Sequence, residues 1–505
     1  MLTQLSFGDL NIGILSLIFL LPILAAFPTW LVGRVRNELS KWFALVISVV
    51  VMVLAIMALM MYEQPPTGRW DLIEEIPWIE AIGMSYSLGV DGLSLPLVLL
   101  SGFIFLVAVL ASFKEIHERE PAYYAMIMLL ETGLIGTFLA IDFVIFYVAW
   151  ELVLVPMFFL IGIWGGPKKE YAAIYFFIYT HVASLVMILG IVGLWLESSK
   201  YTLTGIGTFS FTELASMADQ FGTGPFVLLI FLALLFGFIV KVPSVPFHTW
   251  LPLAHVEAPT PGSMILAGLL LKMGGYGLLR MGGWFLPDAL SEFAWLVAII
   301  GLVSLLYGSW VALRQVDMKS LVAYSSVGHM GIILLGCATQ SPIGFAGAMY
   351  MQIAHGIISP LMFFVAGTIG HAAHTRDIPK LKGIAKNMPV TAGVMVYGSF
   401  ASAGLPGLAG FWSELLAFVA LFNWGEFGRG LALIGVLGII FTAAYYLWML
   451  QRTVFGDVNP ELEYVHDISH WSQYAVFGFL CFFTLLLGIL PALLLDLMAT
   501  ASWPL

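Results

Sequence analysis

The sequence predicts an all-α integral membrane protein of about fourteen transmembrane helices, with two inverted five-helix repeats that each contain a broken helix. Three observations lead there. Of the 505 residues, 61% are hydrophobic and only 10% are charged, whereas an ordinary soluble domain carries about 25% charged residues. The apolar residues fall in long continuous runs, and about 20 such residues cross roughly 30 Å of hydrocarbon as a helix; a strand barrel would alternate instead. Two of the runs are too long for one crossing and are interrupted by proline and glycine in mid-span.

Taken in order, the spans lie near 10–32, 40–62 and 92–113, which form a peripheral part, 1–113. The first run follows no basic segment, so it reads as a retained span rather than a cleaved signal. A first repeat, 122–285, holds 122–141, 142–164, 171–196, 225–254 and 259–285. The boundary inside 122–164 rests on Asp142, read like Asp91 as a helix-end cap. A second repeat, 292–455, holds 292–313, 321–339, 344–371, 390–424 and 430–455, and a final span covers 472–498.

The seventh span contains "FGFIVKVPSVPFHTWLPLAH", residues 236–255, with Pro243, Pro246 and Pro252 following Lys241. The twelfth contains "SAGLPGLAGFWSELLAF", 402–418, with Gly404, Pro406, Gly407 and Gly410. Proline removes a backbone hydrogen bond and clashes with the preceding turn. In lipid the freed groups must find partners in protein or water. The breaks lie five spans apart, an odd number, so the two broken spans run in opposite directions. Matching breaks in two halves mark an inverted repeat around a transport site.

Basic residues set the orientation. Fourteen lie after odd-numbered spans: Arg34, Arg36, Lys41, Lys114, Arg119, Lys168, Lys169, Arg314, Lys319, Arg376, Lys380, Lys382, Lys386 and Arg452. Only Arg69, Lys200, Arg280 and Arg429 lie after even-numbered ones or at their edges. The positive-inside rule then places both termini on the outer side of the cell membrane. Cys337 and Cys481 are the only cysteines, and no CxxC or Cys/His cluster accompanies them, which excludes a cysteine-ligated iron–sulfur site and covalent haem. No phosphate-binding glycine loop is present, and no basic patch is large enough for nucleic acid.

Four charges remain inside spans: Glu151, Lys241, Lys272 and Glu414. Each costs about 2.5–3.5 kcal/mol at mid-membrane before pairing. His248, His329 and His355 lie near them in sequence or span depth, and imidazole is a side chain that can relay protons. A Glu151–Lys241 pair that opens and closes is a protonation switch; held permanently closed, it is a structural ion pair. His181 reads equally as a relay member or as a helix-packing hydrogen bonder, and Glu131, central in the fourth span, as relay or packing. His371 and His374, at a span end, read as interfacial.

The stretches "VKVPSVPFHTWLPLAHVEAPTPGSMILAGLLLKMGGYGLLR", "AYSSVGHMG", "QIAHG" and "AIDFVIFYVAWELVLVPMFFLIGIWGG" resemble chain M of respiratory complex I, the antiporter-like membrane subunit of proton-pumping NADH:quinone and F420H2 dehydrogenases. The resemblance implies proton translocation driven by electron transfer in other subunits. It puts the family's glutamate of the fifth span on Glu151, its lysines of the seventh and eighth on Lys241 and Lys272, its relay histidines on His329 and His355, and its acid of the twelfth on Glu414. It implies no cofactor or metal in this chain, flavin and iron–sulfur clusters in other subunits, and partners of the chain L and N type. Glu131 has no counterpart in the family pattern. Two other readings stand beside this one: a subunit of a multisubunit cation/proton antiporter, and a passive spacer with vestigial charges.

Overall fold

The computed structural model describes residues 5–7, 10–63 and 70–501; Arg69 of the orientation count lies outside them. The long helices are α1 (Ile14–Val35), α2 (Asn37–Met61), α3 (Leu95–Glu115), α4 (Glu120–Leu139), α5 (Phe143–Trp164) and α6 (Lys169–Ser198). Then come α7 (Pro225–Lys241) and α8 (Trp250–Glu257), the two pieces of the first broken segment, and α9 (Thr260–Phe285). The second half has α10 (Pro287–Ala312), α11 (Met318–Ala338), α12 (Pro342–Ala373), the broken pair α13 (Pro389–Ser402) and α14 (Ala409–Asn423), and α15 (Gly425–Thr453), followed by α16 (Trp471–Ile489). Twelve of these helices are each long and apolar enough to cross a membrane, and α7 and α14 are shorter apolar helices beside the breaks.

Differences from the sequence reading are local. The first span starts at Ile14, because Leu10–Ile12 pairs as a strand, β2, with Leu5–Phe7, β1. The final span stops at Ile489, and Pro491, which lacks the N–H needed to continue the ladder, leads into a separate short helix, Ala492–Met498. No strand is expected between the second and third spans, yet β3 (Asp71–Ile79) and β4 (Met84–Val90) form an antiparallel hairpin there. Its turn needs Gly83, with φ of 69°, a left-handed position that other residues rarely adopt.

The centre is built from α3, α9, α11 and α12, and α9 is buried all round. A helix apolar on every side belongs inside a bundle rather than at its rim. The helices α2 and α16 bury only a third or less of their apolar window, so their outer faces meet lipid or partners. Within α9 the backbone widens into π-type turns at Leu266–Leu270 and Leu278–Phe285, flanking Lys272. Such turns release backbone carbonyls from the regular ladder and are frequent at functional sites.

Candidate functional site

The break after α7 is satisfied by neighbours rather than left open. Val245 N–H donates to Ser304 Oγ of α10 at 2.9 Å, and the Trp250 indole N–H donates to the Val240 carbonyl at 2.9 Å. Lys241 is the last residue of α7, at the end where the helix dipole favours a cation. It is buried, its ammonium lies 5.2 Å from the centre of the Trp150 ring, and its Nζ has no hydrogen-bond partner among the described residues.

Glu151 does not close on Lys241. Its Oε2 instead meets Nδ1 of His181 at 2.9 Å, on a lateral face where the two side chains are 23% and 38% exposed. The expected Glu–Lys contact is therefore open here, and His181 holds the carboxylate.

His248 sits in the break, buried, with its ring 5.1 Å from Tyr307 of α10 and 6.2 Å from Tyr324 of α11. Both belong to the second half. The first break thus faces the second half directly.

Deeper in the bundle, Lys272 Nζ is hydrogen-bonded to Nδ1 of His355 at 2.7 Å and donates to the Ala267 carbonyl, which the π turn has freed. His355 lies 5.4 Å, ring to ring, from His329. Since a carbonyl only accepts, His329 Nε2 carries the proton and donates to the Ser402 carbonyl at 3.0 Å, at the point where α13 ends. Glu414 lies just beyond. A cavity of about 10 Å³, lined by His329, His355, Ser402, Gly410 and Glu414, joins them; that is room for about one water. Gly404, with φ of 72°, leaves space for the Glu414 carboxyl: a Cβ there would come within 2.3 Å of Oε2.

The candidate residues thus fall in two groups. Glu151, His181, Lys241 and His248 gather around the first break; Lys272, His355, His329 and Glu414 run to the second. Glu131 stands apart, buried on α4 beside Ser48 of α2. Asp142 caps the N-terminus of α5, accepting from Val144 and Ile145 N–H.

Three buried groups were not legible as such. His255 is fully buried, with neither ring nitrogen hydrogen-bonded among the described residues and its ring stacked 4.3 Å over Phe363; its position seven residues after His248 was the available signal. Two basic residues, one assigned to a span edge and one to a loop, are interior instead. Arg280 makes a bidentate pair with Asp91 at 2.7 and 2.8 Å, its guanidinium 4.3 Å from the Trp70 and Trp284 rings. Lys319 is buried at the start of α11, where it donates to the Ala258 carbonyl at 2.9 Å. A cavity of about 610 Å³ lies over it on the face carrying most of the basic loops.

Residues 140–442 match the family described as NADH:quinone oxidoreductase/Mrp antiporter, transmembrane, and residues 16–137 match the amino terminus of NADH-ubiquinone oxidoreductase chain 4. The chain is 40% identical to F(420)H(2) dehydrogenase subunit M of Methanosarcina mazei, over 96% of this chain and 97% of that one. It is 37% identical to NADH-quinone oxidoreductase subunit M of Rhodobacter capsulatus, over 96% and 94%. Among solved structures it superposes on a chain of respiratory complex I from Thermus thermophilus with a TM-score of 0.85 at 26% identity, covering 96% of this chain and 98% of that one. A chain of the Mrp complex from a Dietzia species gives a TM-score of 0.85 at 20% identity, covering 96% of each, a likeness of fold.

Proposed function

Because this chain belongs to the NADH:quinone oxidoreductase/Mrp antiporter transmembrane family, we propose that it is the proton-translocating, antiporter-like subunit of a complex I-like respiratory dehydrogenase. Electrons pass from a reduced donor to a quinone-type acceptor through other subunits, which hold the flavin and iron–sulfur clusters. This chain moves protons. The observation that carries the reading is the line of hydrogen-bonding and titratable groups from Lys272 through His355 and His329 to Glu414, buried in the middle of the bundle. Intramembrane titratable groups of this kind are costly and mark ion pathways.

In this reading the two broken segments are the remaining crossings, which makes fourteen, and 122–285 and 292–455 are inverted repeats flanked by 1–113 and 472–498. The basic-loop face is cytoplasmic, with both termini on the outer side of the cell membrane. Chains of the L and N type adjoin it. The half-exposed Glu151–His181 pair supports a neighbour on that face, since charge at mid-depth is poorly served by acyl chains. Its open contact with Lys241 is one state of the switch. When Glu151 swings onto Lys241 the ammonium is stabilised; when it swings away, burial drives the proton onward.

A second reading, a subunit of a multisubunit cation/proton antiporter, draws on the fold likeness to the Mrp complex. The relatives with 37–40% identity over nearly the whole chain are dehydrogenase subunits and favour the first. The test is Lys272→Ala in the whole complex reconstituted in vesicles. Assembly and donor:quinone electron transfer should persist while proton yield per electron pair falls. Unchanged yield in an assembled complex rejects the relay, and copurification without any flavin or iron–sulfur subunit favours the antiporter.

A further inference from the structure

Helix α4 carries its unsatisfied polar atoms on one stripe. Tyr124 follows Glu120 by four residues and Glu131 follows it by eleven, which at about 100° per residue puts all three within about 40° of one another around the axis. Among the described residues, Glu120 Oε2, Tyr124 Oη and both carboxyl oxygens of Glu131 are buried without a hydrogen-bond partner. Polar side chains on the other faces of α4 are satisfied. Tyr123 Oη is hydrogen-bonded to Ser112 Oγ of α3 at 2.9 Å, and Thr132 and Thr137 donate to the Met128 and Gly133 carbonyls at 3.2 and 2.8 Å.

Glu131 is the costly member. It is fully buried near the middle of α4, beside Ser48 of α2, whose Oγ is also without a partner among the described residues. Acids inside a membrane are expensive and mark functional sites. A carboxylate ionised and buried with no donor costs far more than a neutral carboxyl, and a polar group kept for packing alone is ordinarily met by a partner. The stripe also reaches the surface. Glu120 opens α4, keeps 8% exposure and directly follows Arg119 at the basic-loop face. From there to Glu131 is about 16 Å along the helix, roughly half of the hydrocarbon thickness.

We propose that Glu131 is a second proton-holding site, outside the line from Lys272 to Glu414, and that it exchanges its proton with the basic-loop side along the α4 stripe through Tyr124 and Glu120. The site does not depend on the pumping reading above. A protonated Glu131 has one O–H to donate, and the Ser48 hydroxyl beside it can accept. A phenol both donates and accepts. Tyr124 therefore passes its own proton inward as it receives one from Glu120, and Glu120 regains a proton from water on the basic-loop side. No other reactant is needed. Two helical turns, about 10 Å, separate Tyr124 from Glu131, so each transfer requires water to enter between them briefly.

The experiment is infrared spectroscopy of the whole complex, moved from light to heavy water. A protonated carboxyl has a carbonyl stretch distinct from that of a carboxylate, and the band moves to lower frequency when deuterium replaces its proton. The difference between wild type and Glu131→Gln should contain one such band, and that band should shift in heavy water. Tyr124→Phe should slow the shift several-fold. Tyr123→Phe, which removes a hydroxyl from another face of α4, should leave the rate as it is. If Glu131→Gln does not assemble, Glu131→Asp, which keeps the carboxyl and changes its surroundings, must displace the band. A spectrum in which no carboxyl band is lost or displaced with Glu131 overturns the proposal, as does a band that never exchanges. Equal slowing by Tyr123→Phe and Tyr124→Phe would mean loosened packing and overturns it too, and so does a rate that Tyr124→Phe fails to slow.

Discussion

Arg280 and Asp91 show how much one residue decides in a membrane interior. Each satisfies the other's charge, and the ring faces of Trp70, Trp284 and Tyr276 surround the guanidinium at 4.3, 4.3 and 5.2 Å. Such stacking with bidentate pairing is specific to arginine. Asp91→Asn leaves a buried cation without a counter-charge, a loss of about 3–5 kcal/mol. The chain should then be depleted from detergent-extracted complex, whereas the double change Asp91→Leu with Arg280→Met should recover much of the lost amount, as read by immunoblot after native electrophoresis. A second residue-scale expectation concerns His181. Because it holds Glu151 away from Lys241, His181→Phe should free the carboxylate to close on the lysine and slow proton delivery. Proton yield should fall while quinone reduction in uncoupled vesicles stays near normal; full yield would mean the histidine only packs.

At the scale of the element, the breaks are built features and not merely weak points in helices. The second break turns on two glycines with positive φ whose surroundings differ. Gly404 faces the Glu414 carboxyl, and Gly407 faces open space. Either one changed to alanine meets the left-handed backbone penalty of about 1–2 kcal/mol. Gly404→Ala additionally pushes a methyl into Oε2 of Glu414. The expected result is that Gly407→Ala lowers thermal stability of the complex slightly and leaves pumping alone, while Gly404→Ala cuts pumping. Equal effects of the two changes would separate the break from the carboxyl it shelters.

Across the whole molecule, the two halves are joined through their polar interior. His248 of the first break packs on Tyr307 and Tyr324, Lys272 bonds His355, and Lys319 bonds the first half's turn, so every link crosses from one half to the other. In the proposed relay, proton movement and the relative placement of the halves would depend on the same contacts. Orientation is also a property at this scale. Single cysteines at Thr375 and at Gly205, placed on a background lacking Cys337 and Cys481, should label from opposite sides with a membrane-impermeant thiol reagent in intact cells. Only Gly205→Cys should react. Labelling of Thr375→Cys instead would invert the topology.

The chain's own residues determined the class, the run of apolar spans, the two interruptions and the identity of the mid-span charges, because hydrophobic length and proline chemistry are local properties read directly from composition and order. Which charge meets which partner was decided only by the tertiary structure. Glu151 could face Lys241 or His181, and Lys319 read as a loop cation and Arg280 as one at a span edge, because rotation of a helix by one residue turns a side chain by about 100°. Only the packing of neighbours fixes that angle. The β3–β4 hairpin stayed hidden for a related reason: its strands gain stability from pairing with each other and from contact with the bundle end, neither of which leaves a period in the sequence strong enough to separate from a loop.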